Sequence, residues 1–159
     1  MKYFIFILSV LTLLASCEED DICLDGKTPQ LYLKFQNQTP ASEGRMDSLI
    51  VYRKEANGNF EMILAKAQLN AIDSAKVSLR IDEVNQTELI LTTRRNEPAL
   101  YDTLRINYDR NVVYGSKACG YKVNYIQTEY NITQQFFVDK EELDTNITNE
   151  EAPHLLLYY

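Results

Sequence analysis

Apolar and polar residues alternate along much of this chain with a period of two. Leu31, Leu33 and Phe35 fall on one side of a short stretch whose other side carries Tyr32 and Lys34. That period marks a half-buried strand, so residues 31–35 are predicted to form the first one. Residues 36–45 are polar and include Pro40 and Gly44, which reads as a loop. Residues 49–54 are predicted as a second strand, Asn57-Gly58-Asn59 as a tight turn, and residues 60–64 as the returning strand of a hairpin. Residues 65–71 read as one or two turns of helix. Residues 76–81 alternate again, with Val77, Leu79 and Ile81 facing inward. Residues 87–94 are apolar and β-branched, and Asn96-Glu97-Pro98 ends them. Residues 102–108 carry Leu104, Ile106 and Tyr108 on one face; Asp109-Arg110-Asn111 is predicted to turn the chain into Val112-Val113-Tyr114. Residues 120–133 present Tyr121, Val123 and Tyr125 on one side, and Phe136-Phe137-Val138 continue that sheet after a bend. Residues 139–151 read as a long acidic surface connection, and residues 155–159 as a closing strand.

About eight short strands separated by turn signals predict an all-β domain, an antiparallel β-sandwich of immunoglobulin-like type. An up-and-down barrel of lipocalin type is the alternative. A sandwich keeps edge strands, and an exposed edge is a template for pairing with another chain.

The first residues follow a different pattern. Lys2 precedes an uncharged apolar run over residues 3–14, which matches the core of a secretory signal. At about a dozen residues it is shorter than the roughly 20 a spanning helix needs. Leu14-Ala15-Ser16-Cys17 closes the run as a lipobox, which predicts cleavage before Cys17 and lipidation of that cysteine. An uncleaved anchor, or a plain signal peptide with an incidental Cys17, is the alternative. The expected organisation is a signal peptide at 1–16, a lipidated and acidic tether at 17–28, and one β-sandwich domain at 29–159. Two or more acyl chains make attachment effectively permanent. Glu18-Glu19-Asp20-Asp21 reads as a solvated tether, and it also resembles the surface-export signal of Bacteroidota lipoproteins.

Composition narrows the functional classes. Apolar residues make up 45% of the chain and aromatics 11%, enough for a folded core. The formal charge of −7 argues against nucleic acid as a partner and against a basic patch for anionic headgroups. With Cys17 assigned to lipid, Cys23 and Cys119 remain of the three cysteines. An even pair in an oxidising compartment predicts a disulfide; a catalytic thiol is the alternative, without a local signature. Two thiols and one distant histidine do not make a zinc site, so no metal is expected.

Candidate chemistry is sparse, and no catalytic residue or cofactor is expected. His154 is the only histidine, no Gly-x-Ser-x-Gly elbow accompanies it, and it reads as a surface or strand-end residue. The five glycines are isolated and form no phosphate-cradling loop. Two carboxylates suffice for a glycosidase, yet nothing singles out a pair among 23 acidic residues. Tyr121, Tyr125 and Tyr130 are candidates for an aromatic binding surface, with core and cross-strand packing as the competing role. Ser48, Ser74 and Thr103 each follow an aspartate and precede an aliphatic residue or alanine, a form that resembles the O-glycosylation acceptor of exported Bacteroidota proteins. Asp-Ser and Asp-Thr are also ordinary where a turn enters a strand.

The lipobox with Cys17-Glu18-Glu19-Asp20-Asp21-Ile22-Cys23, the segment Lys117-Ala118-Cys119-Gly120-Tyr121 and the closing Ala152-Pro153-His154-Leu155 together resemble a lipoprotein family of Bacteroidota catalogued as a domain of unknown function. The resemblance covers essentially the whole mature chain and fits a Cys23–Cys119 bridge. It implies an outer-membrane lipoprotein and supplies no activity. The expectation is therefore a non-catalytic accessory, structural or protein-binding module of the cell envelope. Its partners would be the membrane, through the lipid, and an outer-membrane β-barrel or other envelope protein. A glycan- or small-ligand-binding lipoprotein is the alternative.

Overall fold

The structure, a computed structural model, describes residues 27–38, 46–67, 72–93 and 101–159. The proposed signal peptide, Cys17, the acidic quartet and Cys23 lie outside the described residues. Among the described residues there are nine strands: β1 (Leu31–Gln36), β2 (Ser48–Lys54), β3 (Phe60–Ala67), β4 (Ser74–Val77), β5 (Gln86–Thr92), β6 (Tyr101–Ser116), β7 (Gly120–Ile132), β8 (Asp139–Glu142) and β9 (Leu155–Tyr158). They form a four-stranded sheet ordered β4-β1-β9-β8 and a five-stranded sheet ordered β3-β2-β5-β6-β7. The alternating stripes of both sheets meet in one core. Leu31, Leu33, Phe35, Val77, Leu155 and Leu157 come from the first; Leu49, Val51, Leu89, Leu91, Leu104 and Ile106 come from the second. The β-sandwich expectation holds at this level of two packed sheets, with every strand pair antiparallel except β1 and β9.

The parallel β1–β9 pair joins the first and last strands of the domain, with Leu33 opposite Leu155 and Phe35 opposite Leu157. The closing strand is thus central, flanked by β1 and β8, and its Leu155-Leu156-Leu157 run is buried as a central strand requires. His154 fits the start of this pair. Its backbone N–H donates to the Tyr32 carbonyl at 2.9 Å, and its Nδ1 accepts the Tyr32 N–H at 2.9 Å. His154 stands at the strand end, one of the two placements expected from the sequence, but its ring is buried and not at the surface, and desolvation lowers its pKa below the usual 6.5.

Four further expectations are corrected. Residues 65–67 continue β3 instead of starting a helix, because Ala65, Lys66 and Ala67 pair with Ile50, Leu49 and Ser48. Val77 and Leu79 are buried, but Ile81 is 64% exposed: β4 has already ended, and the Arg80 N–H is held by Thr87 Oγ1 at 3.0 Å. Residues 109–111 do not turn. β6 runs straight through them, and the extra residue is a bulge in β7, where Gln127 takes φ of 53°. The polar residues 139–142 form β8, a strand pairing with β9 only, and charged residues suit such an edge.

The crossing between sheets is held by Asp102. Its carboxylate is fully buried. Oδ1 accepts the Thr133 hydroxyl at 3.0 Å and the Gln135 N–H at 2.8 Å; Oδ2 accepts the Phe136 and Phe137 N–H groups at 2.8 and 2.9 Å. This turn carries the chain from β7 to β8. It seats Phe137 in the core, stacked on Phe35 with ring centroids 5.7 Å apart.

Candidate binding face

The five-stranded sheet has strands of unequal length. β5 pairs with β6 from Tyr101 to Asn107, whereas the β6–β7 ladder continues to Ser116 opposite Gly120. Tyr108 still donates its N–H to the Asn85 carbonyl at 3.0 Å and Tyr125 bridges to Ile147; beyond these two residues the strands run on as an arm. Gly120 closes its tip with φ of 68°, a conformation that glycine adopts without strain.

Because the bulge residue belongs to β7, the core-facing stripe of β6 carries on without a change of side. Tyr108 is buried, and its ring meets that of Tyr125 edge-on at 4.8 Å. Tyr108 Oη lies 2.8 Å from Thr87 Oγ1, and both Tyr108 and Tyr125 donate to the Arg80 carbonyl, at 3.3 and 3.2 Å. Burial raises the pKa of both phenols. Four residues further out the same stripe is in water. Val112 and Tyr114 are each 55% exposed and Tyr121 73%. Val112 faces Val123 across the ladder, Tyr114 faces Tyr121, and the two tyrosine rings meet edge-on at 5.2 Å. Such cross-strand pairs stiffen a ribbon that, among the described residues, has no other strand beside it here. At the root of the arm Arg110 Nη2 donates to the Ile81 carbonyl at 2.9 Å, while Arg110 Nε and Asn124 Oδ1 are buried without a hydrogen-bond partner. Thr28 touches the arm as well, its hydroxyl accepting the Val123 N–H at 3.1 Å.

Two openings adjoin the arm. A cleft of about 470 Å³ lies between residues 28–30, Arg53, residues 78–82 and Tyr125. Its carboxylates are engaged: Glu55 accepts from Arg53 Nε at 2.7 Å, and Asp82 pairs with Arg80, which holds its carboxyl below the usual range. A shallower groove of about 700 Å³ is lined by the amides of Asn85, Gln86, Asn107 and Gln127 with Asp109 and Glu129. Among the described residues, no group of three or more His, Cys, Asp or Glu side chains could hold a metal ion. Nor is any helix among them long and apolar enough to cross a membrane.

The sequence-predicted tyrosine surface is corrected in part. Tyr121 is exposed, but Tyr125 and Tyr130 are buried. Tyr130 Oη accepts from Thr128 at 3.0 Å and donates to the Asp144 carbonyl at 3.3 Å, and burial pushes its pKa up to about 12. The exposed partner of Tyr121 is Tyr114, which sequence reasoning missed. The signal available was the matched alternation of residues 104–114 and 121–125, once the turn at 109–111 is removed. The three candidate glycosylation acceptors are all partly buried. Ser48 bonds the Thr93 carbonyl, Ser74 Oγ lies 2.9 Å from Asp73 Oδ1, and Thr103 follows the Asp102 staple.

The model of DUF6452, a family of unknown function, matches residues 42–159. The chain belongs to this family. The matched span holds β2 to β9, and with them the arm, the Asp102 staple and His154, while β1, Cys17 and Cys23 precede it. The match agrees with the expectation of an uncharacterised family, over residues 42–159 and not the whole mature chain. No curated protein and no solved structure matches the chain.

Proposed function

We propose that the protein is an outer-membrane lipoprotein of Bacteroidota type, anchored through Cys17, that works as a non-catalytic accessory or protein-binding module of the cell envelope. The observation that carries a binding role is the outer edge of β3. This strand stands at the end of its sheet, runs for eight residues and exposes Phe60 (46%) and Met62 (53%). A partner strand can add to such an edge by backbone hydrogen bonds, with alternate side chains setting specificity. The engaged carboxylates of the Arg53–Arg80 cleft support a role without acid–base chemistry. Cys119 is not a free thiol, which supports its pairing with Cys23.

The test is affinity capture of the tagged full chain from gently solubilised membranes, beside Cys17→Ala and Phe60→Lys/Met62→Lys versions. A partner recovered in matched amount, reduced without the anchor and lost from the edge variant at unchanged melting temperature, is the expected result. A lipoprotein captured without any partner overturns the reading. The amide-lined groove favours a second reading, a polar ligand such as an oligosaccharide, which would raise the melting temperature by mass action.

A further inference from the structure

The arm carries the core-facing stripe of β6 past the buried Tyr108 to the exposed Val112 and Tyr114. We propose that this face, formed by Val112, Tyr114 and Tyr121, rests on the surface of the lipid bilayer that holds Cys17. The inference builds on the lipid anchor proposed above.

Three observations converge. The first is reach. Thr28 is hydrogen-bonded to Val123 in the arm, and Cys17 lies eleven residues before it. Eleven extended residues span at most roughly 36–40 Å. A Cys23–Cys119 bridge would leave six residues between the lipidated cysteine and a residue beside the arm's tip, roughly 20 Å. With the anchor at Cys17, the arm lies within that reach of the membrane.

The second is the chemistry of the face. Tyrosine has an apolar ring and a polar hydroxyl, which suits the headgroup boundary where aromatic residues gather at membrane surfaces. Val112 adds an aliphatic contact beside the Tyr114–Tyr121 pair, and all three are more than half exposed. The third is charge. The whole chain carries −7, yet residues 110–128 contain Arg110, Lys117 and Lys122 and no carboxylate. The stretch itself adds no carboxylate to the acidic quartet at 18–21, so its approach to an anionic leaflet brings no further repulsion of its own. Three basic residues are too few for a headgroup-binding patch, so the contact rests on the aromatic face.

The chain has no tryptophan, so one introduced tryptophan reports its own surroundings. The full-length lipidated protein, carrying Tyr114→Trp or Tyr121→Trp, is placed in vesicles of phosphatidylethanolamine and phosphatidylglycerol containing shallow-brominated lipid. Tyr101→Trp is the control: Tyr101 is 55% exposed on the same strand, thirteen residues from Tyr114, or roughly 40 Å along it. The expected result is blue-shifted emission and several-fold stronger bromine quenching at 114 and 121 than at 101, with melting temperatures unchanged. Equal quenching at all three positions in vesicle-floating protein overturns the inference and leaves the anchor intact. Shielding at 114 and 121 that is insensitive to bromine but rises with protein density would place a second copy on the face, and also overturns it. A chain that lacks acyl mass and fails to float refutes the anchor itself, and the inference falls with it.

Discussion

Asp102 fastens the turn that carries the chain from one sheet to the other, and its replacement gives a sharp test. Its two oxygens accept three backbone N–H groups and one hydroxyl in the turn between β7 and β8. In Asp102→Ala all four donors lose their acceptor. The Phe137 N–H is buried and bears the full cost of an unmade hydrogen bond, about 1–3 kcal/mol. The Gln135 and Phe136 N–H groups are partly buried and recover water in part. The expected loss is about 3–4 kcal/mol, or roughly 10 °C in melting temperature for a domain of this size. Asp102→Asn separates hydrogen bonding from shape. Its single oxygen can serve Thr133 and Gln135, but its NH2 then points at the Phe136 and Phe137 donors. The amide is nearly isosteric with the carboxylate yet is expected to cost about 2–3 kcal/mol. Urea unfolding followed by far-UV circular dichroism, with unchanged m-values, measures both. An Asp102→Asn protein within about 1 kcal/mol of the parent would refute the staple.

Two further predictions concern groups that the fold removes from water. His154, the only histidine, has its folded pKa depressed below 6.5 by burial, so the unfolded chain takes up the proton first. Stability should fall as pH drops through about 6.5 and level off below the folded value. His154→Gln should flatten that slope in melting curves taken between about pH 5 and 8; an unchanged slope refutes the assignment. For the proposed Cys23–Cys119 disulfide, reductant should lower the melting temperature of the parent and leave Cys119→Ser unaffected. The difference would approach 4–5 kcal/mol for a loop of about 97 residues, and alkylation of Cys119 in unreduced, unfolded protein would exclude the bridge.

Much of the fold was legible because strand-forming stripes are local. The inward sets Leu31/Leu33/Phe35 and Leu104/Ile106/Tyr108 alternate strictly, and all six are buried. The hairpin at residues 57–59 was legible from Asn-Gly-Asn, and Gly58 takes φ of 82° there. What local pattern missed was decided by pairing. Asp109-Arg110-Asn111 has turn composition, but Val112–Val123 and Tyr114–Tyr121 across the ladder favour extended chain over that propensity. Residues 139–142 have no apolar stripe at all. They form a strand because β9 offers a free backbone edge, and nothing in their own side chains signals it.

The candidate site was harder to read for a related reason. Along β6 the period from Leu104 through Tyr108 to Tyr114 does not change, and sequence assigns the same environment to every member of it. The difference is what stands opposite. Leu104 and Ile106 are buried in the shared core and Tyr108 is closed over by Tyr125 and the Arg80 segment, whereas Val112 and Tyr114 are exposed. That boundary depends on the lengths of strands far away in sequence, which alternation does not encode. The same boundary explains why Tyr125 and Tyr121 part company although they share a face of β7: one closes the core against Tyr108, and the other stands beyond it. A core stripe that outruns its opposing sheet leaves apolar surface in water, and a fold tolerates this where another surface covers it. Thr28 is hydrogen-bonded beside that stripe, so under the proposed anchor at Cys17 the covering surface would be the membrane.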